Sequence, residues 1–341
     1  MLRSRRSLLG TLAGLAGLST TTAGCLSFGG GQDYRFLASD LDTPLGREFL
    51  VANPASRRAE TRIDYTAERK QAFVDELFET GTVTAVQWPL TEMTYWGDHA
   101  RPRPAFVQRD GVYYHIHVEE EQVDRDRWLF AVERTDDEPA ADATVLREPF
   151  SSLSERDAAI VQAALDAIYA GNDGFLGEPE FDELQPVEYH EGMDPDASEL
   201  VPSPPFEYVE YAEDYYRPVT DRRTVSIPKR TFSLEQVADS AEAFERYANE
   251  TIPDVRFSDV SVSDAEREVL DAVVDPENYS GHNEDHPLSD GLDAALAHLG
   301  IRAHLRPASE YSGRVEFRNA IAEYEGDWYR FDLLVNPKDV N

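Results

Sequence analysis

Apolar and polar positions alternate along three short stretches that align over nine residues without a gap. They are "VQRDGVYYH" from Val107, "VEYAEDYYR" from Val209 and "AEYEGDWYR" from Ala322. A period of two puts successive side chains on opposite faces of a strand. Each stretch therefore reads as a strand, a two-residue turn and a second strand. Asp110-Gly111 is a strong turn signal, because the favoured hairpin turns need positive φ there. Glu325-Gly326 is a weaker one. On the outgoing strands Tyr114, Ile116 and Val118 share one face, as do Tyr329, Phe331 and Leu333, and those faces are expected in the core. The opposite faces carry His115 and His117 in the first copy, and Trp328, Arg330 and Asp332 in the third. Pro218 interrupts the second copy and has no N–H to give to a ladder, so an edge strand is expected there.

Upstream of each hairpin the period changes to that of a helix. In "LSERDAAIVQAALDAI" from Leu153, the residues Ile160, Val161, Ala164, Leu165 and Ile168 form one stripe. Val269, Leu270, Val273 and Val274 match it in "VSDAEREVLDAVVD" from Val262. Ser154 with Asp157, and Ser263 with Glu266, have the spacing of a capping box. The first copy, "YTAERKQAFVDELF" from Tyr65, keeps Phe73, Leu77 and Phe78 but lacks the acidic cap partner. Strand-like runs precede the helices: "TRIDY", "ATVLREPF" and "DVRFSDV". A further helix, opened by Ser233, is expected to place Leu234, Val237, Ala241 and Phe244 on one side.

The repeating unit is thus strand, helix, variable insert and hairpin. The organisation it predicts is residues 1–25 as a signal, 26–33 as a tether, and three modules at 34–135, 140–228 and 229–341. The fold class is α+β: tandem small modules, each a helix packed on an antiparallel sheet with a recurrent β-hairpin.

The first 25 residues follow another logic. Arg3, Arg5 and Arg6 precede an apolar stretch from Leu8 to Leu18. That stretch is too short to span a bilayer, which takes about 20 apolar residues. Small residues then lead to Cys25, the only cysteine. This is the anatomy of an export signal, and it is set aside from the fold. "SRRSLL", with Arg5 and Arg6, resembles a twin-arginine signal, the kind that exports folded proteins. "TAGC" resembles a lipobox, with Thr22 where bacterial lipoboxes have Leu. The resemblance implies that Cys25 carries lipid as the first residue of the mature chain. "SFGGGQD" would be a flexible tether, and the protein would sit on the extracellular face of the cytoplasmic membrane. With no second cysteine, disulfides are excluded.

Composition identifies the solvent. The chain has a formal net charge of −34, and only Lys70, Lys229 and Lys338 are lysines. In low salt such charge opposes the compact state; at molar salt the Debye length falls to about 3 Å and the repulsion nearly vanishes. Disorder is disfavoured, since 41% of residues are apolar and 11% aromatic. Scarce lysine with excess acid resembles the proteins of salt-loving archaea. The order of helix, insert and hairpin resembles uncharacterised domains common in haloarchaeal lipoproteins, over most of the mature chain. That likeness implies an architecture and no activity. The charge excludes nucleic acid, which needs a basic stripe, and leaves the lipid as the membrane contact and another envelope protein as the expected partner. Asn249 and Asn278 head sequons open to glycosylation.

Reactive motifs are missing from the sequence: no GxSxG, HExxH, phosphate loop, CxxC or EF-hand loop occurs. With 66 acids, paired carboxylates carry no information. Histidines are more selective. His282 and His286 in "GHNEDHP" stand four apart, a metal-gripping spacing on a helix, although Gly281 and Pro287 favour a polar loop. His115 and His117 in "YYHIHV" lie on one side of a strand about 7 Å apart, which suits two ligands of one metal. Arg217 and Arg330 stand where His115 stands in the other two copies. No resident cofactor is expected. The reading is a non-enzymatic lipid-anchored protein with an interaction or structural role. The alternatives are a ligand- or metal-binding lipoprotein and, less favoured, an extracytoplasmic hydrolase.

Overall fold

All three aligned hairpins form, and all three turn the same way. The computed structural model describes residues 33–41, 44–171, 181 and 184–337. Arg5, Arg6, Cys25 and the tether lie outside the described residues. The first elements are β1 (Tyr34–Asp40), α1 (Leu45–Glu48), α2 (Ala67–Thr80), β2 (Thr82–Val86), β3 (Met93–Trp96), β4 (His99–Pro102), β5 (Phe106–Arg109) and β6 (Val112–Thr135). Next come β7 (Val145–Arg147), α3 (Glu155–Gly171), β8 (Val187–Glu188), β9 (Tyr208–Tyr211), β10 (Asp214–Ala238) and α4 (Ala241–Thr251). The last are β11 (Val255–Arg256), α5 (Asp264–Val274), β12 (His282–Glu284), α6 (Asp290–His298), β13 (Val315–Tyr324) and β14 (Asp327–Val335). The chain is mixed α+β. Among the described residues no helix is long and apolar enough to cross a membrane.

The hairpins are β5–β6, β9–β10 and β13–β14. Their turn residues have φ of 54° and 83° at Asp110 and Gly111, 51° and 71° at Ala212 and Glu213, and 54° and 94° at Glu325 and Gly326. Two successive positive φ values define the turn whose twist matches the flanking strands. The second hairpin achieves it without a glycine.

The same strand order recurs around each hairpin. A short segment before the helix pairs parallel with the incoming strand: Leu50 with Phe106, β7 with β9, and β11 with β13. The outgoing strand then takes an antiparallel partner: β6 takes β10, β10 takes β6, and β14 takes β1. The far side of that partner carries the short strand that follows the helix: β2 on β10, β8 on β6, and β12 on β1. A phenylalanine marks the same place in each partner strand. Phe232 lies between Val118 and Val83, Phe130 between Thr220 and Val187, and Phe36 between Leu333 and His282. All three rings are fully buried. Burying such a ring stabilises by about 1.5–3 kcal/mol.

This arrangement moves the expected boundaries. The stretches 34–135, 140–228 and 229–341 do not enclose separate sheets. β1, from the first, belongs to the sheet of β14. β3–β4, also from the first, extends β13 through Phe317 and Trp96. β10 runs across residue 228 to Ala238. The helix expected from Ser233 is therefore strand up to that point. α4 starts at Ala241, and Ser240 caps it by accepting from Ala243 N. Pro218 lies on a long strand paired along almost its whole length with β6, but at a stretch where its other side is open. It pairs with Val132 of β6, while β9 has ended two residues earlier and β2 joins only at Lys229, so the local edge that proline favours is there and no donor is missed on that side. "TRIDY" forms no strand; residues 49–51 take that role, with Val51 N donating to Phe106 O at 2.7 Å.

The helical stripes pack as their spacing implies. Ile160, Val161, Ala164 and Leu165 of α3 join Phe130, Val209 and Tyr216 in one core. Val74 and Leu77 of α2 join Val83, Ile116 and Phe232 in a second. Val269, Leu270 and Val273 of α5 join Phe36, Phe331 and Leu333 in a third. A fourth core sets Phe244 and Ala248 of α4 against Phe106 and Ile321. Ser263 and Glu266 make both bonds of the capping box. The Asp157 backbone N–H does bond to Ser154 Oγ, but its buried carboxylate accepts from Ser198 Oγ at 2.8 Å and Glu199 N at 2.9 Å instead of closing the box.

Candidate metal centre

Alternation along β6 sends His115 and His117 to the same face. The register with β10 sets Glu235 opposite His115 and Ser233 opposite His117. A register shift between Gln236 and Ala238 follows at once; such bulges sharpen the local twist and re-aim side chains. The two imidazole rings end with centroids 4.3 Å apart, closer than the strand rise alone would leave them. His117 Nε2 lies 2.8 Å from Glu235 Oε2. One ligand atom from each of His115, His117 and Glu235 lies within 4.8 Å of the other two. Among the described residues this is the only group of three or more such side chains gathered so closely.

One side of the site is apolar and the other is open. His115 is half-buried and stacks on Phe106 at 4.8 Å, with Phe244 and Tyr247 of α4 behind that ring. Burial, then the neighbouring His117, push the His115 pKa below its ordinary value, with Glu235 opposing them. His115 is thus held towards its neutral form, the form that binds metal. The side chains of His117 and Glu235 are 47% and 61% exposed. Two imidazoles and a carboxylate with one side open to water is a three-ligand arrangement that leaves a coordination position free.

The other histidine pair is taken apart. His282 lies on β12, and its Nε2 meets Glu284 Oε1 at 2.5 Å. Glu284 in turn accepts from Ser289 N at 2.8 Å, tying β12 to the start of α6. His286 sits in the following loop, where its backbone N donates to Asp33 Oδ2 at 3.0 Å and its ring faces Tyr34. Both have structural partners. Of the sequon residues, Asn278 uses its amide to close the turn before β12, donating to Ala272 O at 2.6 Å, and Asn249 is half-buried in α4.

The sequence reading missed two residues. Glu235 was one acid among many until the register placed it. His190 is almost completely buried against Tyr65, with ring centroids 4.4 Å apart. Its Nδ1 accepts from Gly192 N at 2.9 Å. Burial first, then the charges of Arg69 and Arg127, hold its pKa down to about 4.

Compared with protein-family models, with curated proteins and with solved structures, the chain matches none.

Proposed function

We propose that the chain is a lipid-tethered, non-enzymatic protein of the cell envelope, exported folded and working by contact with another envelope protein. The observation that carries this reading is the run of Arg5-Arg6, short apolar stretch and "TAGC" ending at Cys25, followed within eight residues by Asp33 and β1. β1 is held on both sides, by β14 and β12. A lipid on Cys25 would therefore hold the body through a central strand. Eight residues reach at most about 28 Å, so the sheet that contains β1 and β14 would stay close to the membrane. The same reading takes the three matching strand orders as tandem α+β modules interlocked by exchanged strands.

The test is expression of the wild-type chain and Cys25→Ala in a halophilic host. The wild type is expected in the membrane fraction with a lipid-modified N-terminal cysteine by mass spectrometry. Cys25→Ala is expected in the medium. Wild-type protein in the cytosol with residues 1–24 intact would overturn the reading. A second reading, a metal-binding lipoprotein, is favoured by the gathering of His115, His117 and Glu235.

A further inference from the structure

We infer that His115, His117 and Glu235 form a binding site for a divalent first-row transition-metal ion such as Zn²⁺, bridging the two longest strands of the molecule. The inference is independent of export and lipid attachment.

The donor set is the first argument. Imidazole nitrogens with one carboxylate oxygen suit zinc and its neighbours, and not magnesium or calcium, which take oxygen ligands. The geometry is the second. Tetrahedral ligands about 2.0–2.1 Å from zinc stand about 3.3 Å from one another. The three ligand atoms here lie within 4.8 Å, with His117 and Glu235 already at 2.8 Å. Small side-chain rotations at two exposed residues close that difference. The backbone need not move, because β6 and β10 fix it through the register on both sides of the site.

Comparison among the three hairpins is the third argument. The position of His115 is held by Arg217 in the second hairpin and by Arg330 in the third. Opposite Arg217 stands Glu133, as Glu235 stands opposite His115. Arg217 is ion-paired, to Asp137 at 2.6 Å. The first hairpin alone replaces the permanent cation with two imidazoles facing a carboxylate. A bound metal ion supplies the positive charge that guanidinium supplies elsewhere. It would also pin the start of β6 to the end of β10, so that binding adds stability to the pair in proportion to occupancy.

The test is calorimetric titration of the chelator-stripped full chain with ZnCl₂ in molar KCl, alongside His117→Ala, Glu235→Gln and His286→Ala, with thermal unfolding of each. The wild type is expected to take one equivalent and to unfold at a higher temperature when loaded. His117→Ala should weaken binding by about 100-fold or more, no less than the 10–100-fold that loss of an outer partner costs. Glu235→Gln should weaken it in the same direction, and His286→Ala should leave it unchanged. His117 and Glu235 are exposed, so both variants are expected to fold, and circular dichroism checks this. Zinc binding that survives in His117→Ala and Glu235→Gln, or no stoichiometric binding by the wild type, would overturn the inference.

Discussion

The first two hairpins and the third complete the same strand order by different means. β6 and β10 each serve as the partner of the other, in one antiparallel ladder from Tyr215–Thr135 to Ala238–Tyr113. Each core there borrows a phenylalanine from the other hairpin's long strand: Phe232 packs with Ile116 and Phe130 packs with Val209. The third hairpin has no such companion. Its partner strand is β1, the first described segment of the chain, which lends Phe36 to the core of Phe331 and Leu333. The sheet thus demands a strand of given shape and apolarity at a given place. It is indifferent to whether that strand is part of a hairpin.

The sharpest test of this equivalence is truncation of the three buried rings. Phe36→Ala, Phe130→Ala and Phe232→Ala should each lose about 3–5 kcal/mol, read from guanidinium unfolding in molar KCl. Equal losses would make the sites energetically one. A markedly smaller loss at Phe36 would show that a lone N-terminal strand is held less firmly than an exchanged one.

The next test separates the two regions by pH. His190 belongs to the exchanged pair, lying against Tyr65 beside Arg69 and Arg127. Its folded pKa, about 4, lies below the unfolded value of about 6.5. Between those values the unfolded state binds the extra proton, so stability rises with pH and falls on acidification. The loss from pH 6.5 to pH 4 should be on the order of 3 kcal/mol, and His190→Gln should remove that part of the slope. If the slope is unchanged in the variant, the carboxylates alone account for acid sensitivity.

The smallest effect concerns the turns. Glu213 occupies, at φ 71°, the place filled by Gly111 and Gly326. Glu213→Gly should raise stability by about 1 kcal/mol, the cost of a left-handed residue with a side chain, seen as a later unfolding midpoint. No change would mean that neighbouring contacts compensate at this hairpin.

The hairpins and the helical stripes were legible because their signals are local. Asp110-Gly111 carries its own turn, and Val269, Leu270 and Val273 carry their own face. The partner of each hairpin was not legible, because nothing within "YYHIHV" names a strand about 120 residues away. The segment after Lys229 shows how local signals compete. Phe232 and Leu234 alternate with Thr231, Ser233 and Glu235, a strand pattern, but Ser233 also looks like a cap before a helical stripe. Pairing with β6 decides for the strand. Two of the three members of the candidate site were readable for the same reason: His115 and His117 share a face by alternation, while Glu235 gains meaning only from cross-strand register. His282 and His286 were readable only as a spacing, and β12 gives that spacing a different use.

The pairing of β1 with β14 also has a consequence in time. Tyr34 is among the first described residues to leave the ribosome, and its ladder partner Val335 follows about 300 residues later. At roughly 5–20 residues per second, synthesis leaves β1 without its neighbour for about 15–60 s. Phe36 must stay out of the wrong contacts for that interval, and the sheet built on β1 and β14 closes only after both strands have been made. A sheet ordered in this way waits for its last strand.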